Sequence, residues 1–346
     1  MLAAGCAVFT RFLPFPEVPR VREKLEYLAK HGDDFDVIFI GSSQVNWQVM
    51  PSIFDRVAGE QGVPVRSFNA GVWAMMSPED GNFLDEVLRR PHRRLRWIIL
   101  ELMPLASRNY TSLEGTRRAI YWHDWTRMRL LTNRFVSECA EAARGPKPFL
   151  GATGDCFQSL GDWLGNWSLF LNKSVNLGHG AILLGRELGR PVPGEEGSQK
   201  KRVLRDGNDF PKGGPALSGL SRFNYEQQFA NYLATEQRFD AGDSASWAAV
   251  QGKLDRLAQE NITPIMMIPA TVALKRYLPR EAEEQSLKVL DFSDPRKYPE
   301  FYMADHRLDW VHLNYAGSEL FTEAMAQRFV EMIKADGTVP KQSTGR

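Results

Sequence analysis

The chain has 346 residues, enough for one large α/β domain with insertions or for two ordinary domains. Hydrophobic residues make up 43% and charged residues 25%, close to the average of globular proteins. A formal net charge of +1 leaves no global field to draw the chain to nucleic acid or acidic lipid, and the run Arg89, Arg90, Arg93, Arg94 and Arg96 reads as a solvated helix end and loop.

Residues 1–33 read as an N-terminal extension. Met1 to Phe15 is apolar and rich in small residues, and Leu2-Ala3-Ala4-Gly5-Cys6 looks like the box at which a bacterial lipoprotein is cleaved and lipidated. The basic and long apolar parts of a signal peptide do not precede that box. Lipidated at Cys6, the chain would associate with a membrane through its N-terminus; if the match is chance, a cytoplasmic location stays open. No apolar run approaches the ~20 residues of a membrane span. The three cysteines, Cys6, Cys139 and Cys156, are odd in number and lack a repeated spacing. That argues against a disulfide framework or a zinc site and leaves a single Cys139–Cys156 bridge open.

The main domain is expected over 34–333. Asp36-Val37-Ile38-Phe39-Ile40 is a short β-branched run stopping at Gly41, the pattern of a buried parallel strand. Val63 to Gly71 reads as a second strand ending in glycine. Ser77-Pro78-Glu79-Asp80 has a capping serine, a proline for the first helical position and acids for the first turn, predicting a helix to about Arg90. Trp97 to Leu102 is a third strand. This alternation predicts an α/β fold with three layers, a parallel sheet between helices. From about 108 to 240 it lapses into amphipathic helices and Gly/Pro-rich loops, read as a largely helical insertion, with 189–219 least ordered. It resumes with a helix over 244–260, strands over 263–269 and 287–292, and a closing helix from Ala316 to Ile333. The tail 334–346 is polar and read as flexible.

Three local features suit one chemistry. Gly41-Ser42-Ser43-Gln44 lies where a buried strand ends and a helix begins, at the sheet edge where ligands of α/β folds bind. Asp309-Trp310-Val311-His312 sets a carboxylate three residues before a histidine, as a general base and its orienting acid require. Asn69-Ala70-Gly71 closes the second strand with a glycine able to approach an oxyanion.

Together these resemble the SGNH (GDSL-like) hydrolase superfamily. Its first block carries the nucleophile as Gly-Asp-Ser and is matched by Gly41-Ser42-Ser43. Its oxyanion glycine is matched by Gly71, and its last block, Asp-x-x-His, by Asp309 and His312. The resemblance covers about 34–105 and 244–333 and implies the flavodoxin-like fold of that superfamily. The third block, Gly-x-Asn-Asp, is replaced by Leu100-Glu101-Leu102-Met103-Pro104, which lacks the oxyanion asparagine. Asn46, Asn69 and Asn109 are substitute donors to consider. This departure is similar to divergent envelope-associated branches that handle teichoic-acid D-alanylation or polysaccharide O-acetylation, implying the cell envelope or periplasm.

The resemblance implies a catalytic Ser43–His312–Asp309 triad. Its oxyanion donors would be Ser43 and Gly71, with Asn69 as a further candidate. Substrate-binding candidates are Gln44, Asn46, Glu101, Trp122 and His123; Glu101 is read alternatively as holding a loop or making a structural salt bridge, and the aromatic cluster Tyr121 to Trp125, which includes the last two, as core packing of an amphipathic helix. The implied substrate is an acylated small molecule or glycan, with water as acceptor in an esterase or a sugar hydroxyl in an O-acyltransferase. A non-catalytic glycan-binding domain is the third reading. No cofactor and no metal is called for: His31, His92 and His179 lack ligand spacing, and Gly161 to Gly165 lacks the lysine and preceding strand of a P-loop. His306 has Met303, not an acid, three residues before it.

Overall fold

The computed structural model describes residues 21–90, 92–103, 105–106, 118, 122–144, 149–174, 216–234, 244–272, 282 and 284–337. Cys6, Pro104, Asn109, Tyr121, His179 and most of 189–219 lie outside the described residues, as does the tail beyond 337.

The fold is α/β. Five parallel strands form one sheet in the order β2-β1-β3-β4-β5: β1 Val37–Ile40, β2 Ser67–Asn69, β3 Trp97–Glu101, β4 Thr263–Ile268 and β5 Val289–Asp291. The register aligns Phe39 with Asn69 on one side and Ile40 with Leu100 on the other, bringing the ends of β1, β2 and β3 to one edge.

Period-two alternation divides the strand residues between two apolar clusters. Val37, Phe39, Trp97, Ile99, Ile265 and Met267 face one cluster. Ile38, Ile40, Ile98, Leu100, Met266 and Ile268 face the other. Because both faces are covered, the strands read as unbroken apolar runs rather than alternating ones.

The helices are α1 Val21–His31, α2 Ser43–Gln48, α3 Pro51–Glu60, α4 Glu79–Val87, α5 Trp125–Arg144, α6 Phe149–Ser174, α7 Gly219–Ala234, α8 Ser244–Gln259 and α9 Tyr315–Ala335. α3 and α9 pack on the first face through Phe54, Phe321 and Phe329. α1, α4 and α8 cover the second through Leu28, Phe83, Leu84 and Leu254. α1 falls within the stretch read as an extension, yet Val21 and Leu28 belong to the core.

Several boundaries differ from expectation for physical reasons. The second strand pairs only over Ser67–Asn69, consistent with Pro64 having no N–H to give a ladder. Ser77 does not cap α4. It is buried in a bridge with Leu105, its carbonyl accepts from Ala106 N–H at 2.9 Å, and its hydroxyl has no partner. Pro78, rather than a serine, occupies the cap position. Arg94 and Arg96 of the basic run grip buried Asp36 at 2.8 and 3.0 Å. In the expected insertion, α5 and α6 pack together, with Trp163 and Trp167 against Phe135 and Trp125. Cys139 on α5 is disulfide-bonded, and the Cys156 side chain lies outside those described.

Candidate active site

The connection from β1 runs outward to β2, and the chain then returns across β1 to β3. Such a reversal opens a crevice at the carboxyl ends of the two central strands. Ser43 lies three residues past the end of β1, and Glu101 ends β3.

Ser42 is the N-cap of α2, its hydroxyl accepting from Gln44 N–H at 3.2 Å. Ser43 is therefore the first helical residue, whose N–H has no acceptor within the helix. Ser43 Oγ lies 2.7 Å from His312 Nε2, across 269 positions of sequence. His312 Nδ1 lies 2.8 Å from Asp309 Oδ2 and 3.1 Å from Oδ1. Asp309 Oδ1 also accepts from the N–H groups of Val311 and His312, at 2.6 and 2.7 Å. Partial burial pushes the Asp309 carboxyl up, but the His312 hydrogen bond and charge and the two N–H bonds outweigh it and hold the group below its ordinary range. An ionised Asp309 only accepts, so Nδ1 carries the proton and Nε2 is free to accept from the Ser43 hydroxyl.

Arg307, which sequence reasoning did not single out, shapes the loop bearing this pair. It is fully buried and donates to four main-chain carbonyls, those of Asp309, Trp310, Ala270 and Phe301. Arg307 also bridges Leu313 in antiparallel fashion, closing the loop at its base. Burial lowers its pKa. Asn314 then caps α9, accepting from Gly317 N–H at 3.0 Å. His306 is structural, with Nδ1 2.7 Å from the Glu300 carbonyl.

Trp47 was also missed, although a spacing of four from Ser43 on a helix places both on one face. Its ring centroid lies 4.6 Å from that of His312. Trp310, between Asp309 and His312 in sequence, is exposed, as is Trp73, whose neighbour Val72 donates to the Gly41 carbonyl at 2.8 Å.

The expected oxyanion residues Gly71 and Asn69 are committed to structure. Gly71 N–H donates to Asn69 Oδ1 at 2.9 Å. Asn69 is fully buried, and its Nδ2 donates to the carbonyls of Val45 and Val49, at 2.8 Å each, at the end of α2. Gly71 must be glycine because a Cβ would stand 2.8 Å from Asn46 Cα and closer still to Asn46 N.

Nor do the five substrate candidates present free polar groups to the crevice. Asn46 is buried and accepts from buried Lys24 Nζ at 2.7 Å; that ammonium also donates to the carbonyls of Gly71 and Asn69, at 2.7 and 3.1 Å. Gln44 is buried, its Nε2 3.4 Å from Glu101 Oε1. Glu101, 3% exposed, accepts from Ser42 N–H at 2.6 Å and from the Ser42 hydroxyl at 2.9 Å. Trp122 is in the core, and His123 is fully buried with Nε2 2.8 Å from Asn166 Oδ1. Asn46, Gln44 and His123 are thus held by other side chains, and Glu101 by Ser42.

Among the described residues, no three His, Cys, Asp or Glu side chains group as metal ligands, and no helix is long and apolar enough to cross a membrane. Against protein-family models, curated proteins and solved structures, the chain matches nothing. A serine hydroxyl, an imidazole and a carboxylate stand in series at the mouth of a parallel sheet. This arrangement can move the serine proton to histidine as the oxygen attacks an electrophilic carbon.

Proposed function

We propose that the chain is a serine esterase of SGNH type acting on a carboxylic ester through an acyl-enzyme, with Ser43 as nucleophile, His312 as base and Asp309 as its orienting acid. The observation that carries this reading is the unbroken line from Asp309 through His312 Nε2 to Ser43 Oγ, 2.7 Å at its last step. The strand order β2-β1-β3-β4-β5 supports the flavodoxin-like arrangement of that superfamily.

His312 takes the proton of Ser43 as Oγ bonds to the ester carbonyl carbon. The tetrahedral intermediate then collapses, and His312 returns the proton to the departing alcohol. Water, deprotonated by His312, releases the acid and restores Ser43. The free Ser43 N–H is one donor to the oxyanion. With Gly71 N–H bound to Asn69 and no third-block asparagine, donors are few. One missing donor typically costs ~10²–10³ in kcat, so slow turnover is expected.

We read the substrate as an acylated glycan or similar ester. The aromatic side chains of Trp47, beside His312, and exposed Trp310, next to Asp309, support this, since aromatic faces stack on sugar rings. The disulfide at Cys139 supports an oxidising compartment such as the periplasm. The same acyl-enzyme serves an O-acyltransferase if a sugar hydroxyl replaces water.

The test is Ser43→Ala. p-Nitrophenyl acetate turnover and labelling by a fluorophosphonate should both vanish; labelling that persists unchanged would refute the reading. Product analysis with an acceptor glycan separates the acceptors: free acid alone removes the transferase.

A further inference from the structure

We propose that Glu101 is a positioning residue for Ser43: as a carboxylate it accepts both donors of Ser42 and so fixes the turn that presents the nucleophile. This inference rests on the serine-hydrolase reading and adds a role that the triad does not require.

Both Glu101 oxygens are engaged by one residue, Oε2 by the Ser42 N–H and Oε1 by its hydroxyl. The Ser42 hydroxyl at the same time accepts from Gln44 N–H as the cap of α2. Its proton must therefore point at Glu101, and the turn has one hydrogen-bond arrangement. Nothing separates the carboxylate from the backbone it holds: a Cβ on Gly41 would stand 2.5 Å from Glu101 Oε2 and 2.7 Å from Glu101 Cβ. Glu101 does not reach the reacting atoms. It acts on Ser43 through the adjacent peptide.

A second observation shows what a proton would change. The buried Gln44 Oε1 has no hydrogen-bond partner, while Nε2 of the same amide makes a long 3.4 Å contact to Glu101 Oε1. Turning that amide over would set Oε1 towards Glu101, where it could accept only from a protonated carboxyl. A proton on Oε1 would also leave that oxygen a weaker acceptor for the Ser42 hydroxyl. The cluster thus has two arrangements differing by one proton, and the ionised one holds the two Ser42 donors more tightly.

The groups around Glu101 let that proton exchange near neutrality. Asp80 on α4 and Lys253 on α8 face it and pair with each other, while Ser42 and Gln44 face it from the α2 side and are neutral. Burial pushes the Glu101 carboxyl up to about 7; the Ser42 bonds and Lys253 pull it down, and Asp80 pushes it up.

The experiment measures the second-order rate of Ser43 labelling by a fluorophosphonate from pH 5 to 9 in the full chain. In the wild type, His312 must be neutral and Glu101 ionised, so the acid limb should be steeper than one proton, approaching 100-fold per pH unit. In E101Q the amide nitrogen, whichever way the amide is turned, must oppose one Ser42 donor. The rate at pH 8 should fall roughly 10–100-fold, as for a nucleophile displaced by a fraction of an ångström, and the acid limb should relax to 10-fold per unit. S42A keeps the carboxylate: it should lose less rate and retain the steep limb. A wild-type limb of a single proton overturns the proposal even if E101Q fails to fold. So does an E101Q rate and limb equal to wild type. Either result, with labelling lost in S43A, leaves the serine-hydrolase reading standing. Labelling that survives S43A removes that reading, and this inference with it.

Discussion

Gly71→Ala probes whether the strand end behind the nucleophile sets its position. The added Cβ would stand 2.8 Å from Asn46 Cα, 2.9 Å from Val45 Cγ1 and nearer still to Asn46 N. Carbon atoms in contact normally lie ~3.5–4.0 Å apart, so the α2 backbone must retreat by about 1 Å. It cannot retreat freely. Lys24 holds Asn46 Oδ1, Asn69 holds the carbonyls of Val45 and Val49, and Asn46 N–H donates to the Ser42 carbonyl at 2.9 Å. The displacement therefore passes to Ser43, three residues earlier in the same turn. Overpacking of this kind typically costs about 1–3 kcal/mol, and a shift of about 1 Å in a reacting group costs ~10² in rate. The assay pairs urea unfolding with fluorophosphonate labelling. Gly59→Ala on α3 is the control, because a Cβ there meets nothing within 4 Å. It should leave labelling unchanged and, by helix propensity, stabilise by about 0.5–1 kcal/mol. If Gly71→Ala labels at the wild-type rate with an unchanged unfolding midpoint, the argument that Gly71 and α2 share one rigid contact is wrong.

Asp309→Asn should leave the fold intact but set the wrong tautomer on His312, lowering labelling by ~10³–10⁴; a loss under tenfold would show that Asp309 does not orient the base. Stability should also carry two opposite pH signatures. Asp309, held below its ordinary value, contributes stability that is present above pH ~4 and lost as pH falls through its folded pKa. Glu101, raised from 4.5 to about 7, contributes stability that is full below pH 4.5 and lost as pH rises through 7. At 1.36 kcal/mol per pH unit that loss is about 3 kcal/mol. E101Q should abolish the decline between pH 4.5 and 7 in urea unfolding; an unchanged slope would mean Glu101 ionises as readily folded as unfolded.

Burial and the Ser42 bonds thus pull Glu101 towards opposite protonation states. A neutral Glu101 suits the buried sheet edge, whereas a charged one grips Ser42. Strain of this sort is expected where a side chain is held for chemistry rather than for folding.

Much of the architecture was legible because it rests on local signals. Val37 to Ile40 and Trp97 to Leu100 are apolar on both faces, as parallel strands under two helical layers must be. Asp309 and His312 were readable as a pair because three residues of turn bring them together whatever surrounds them. Ser43 stood out from its position past a strand. Its 2.7 Å approach to His312, across 269 positions, depends on how β1 and the loop before α9 sit at one sheet edge.

The inward side of the site was not legible. Gln44, Asn46, Asn69 and Glu101 are polar residues at strand and helix ends, and composition places such residues at the surface. Tertiary packing buried them, because Lys24 arrives from α1 and the Ser42 turn closes over β3. Arg307, which no local signal singles out, is the fully buried tie of four carbonyls, since only a folded loop offers it those acceptors together. Sequence by itself determined which residues could supply a nucleophile, a base and an acid, since that is a matter of side-chain chemistry and short spacing. The tertiary structure decided which polar groups face the substrate and which hold the backbone, because that depends on neighbours brought from distant parts of the chain.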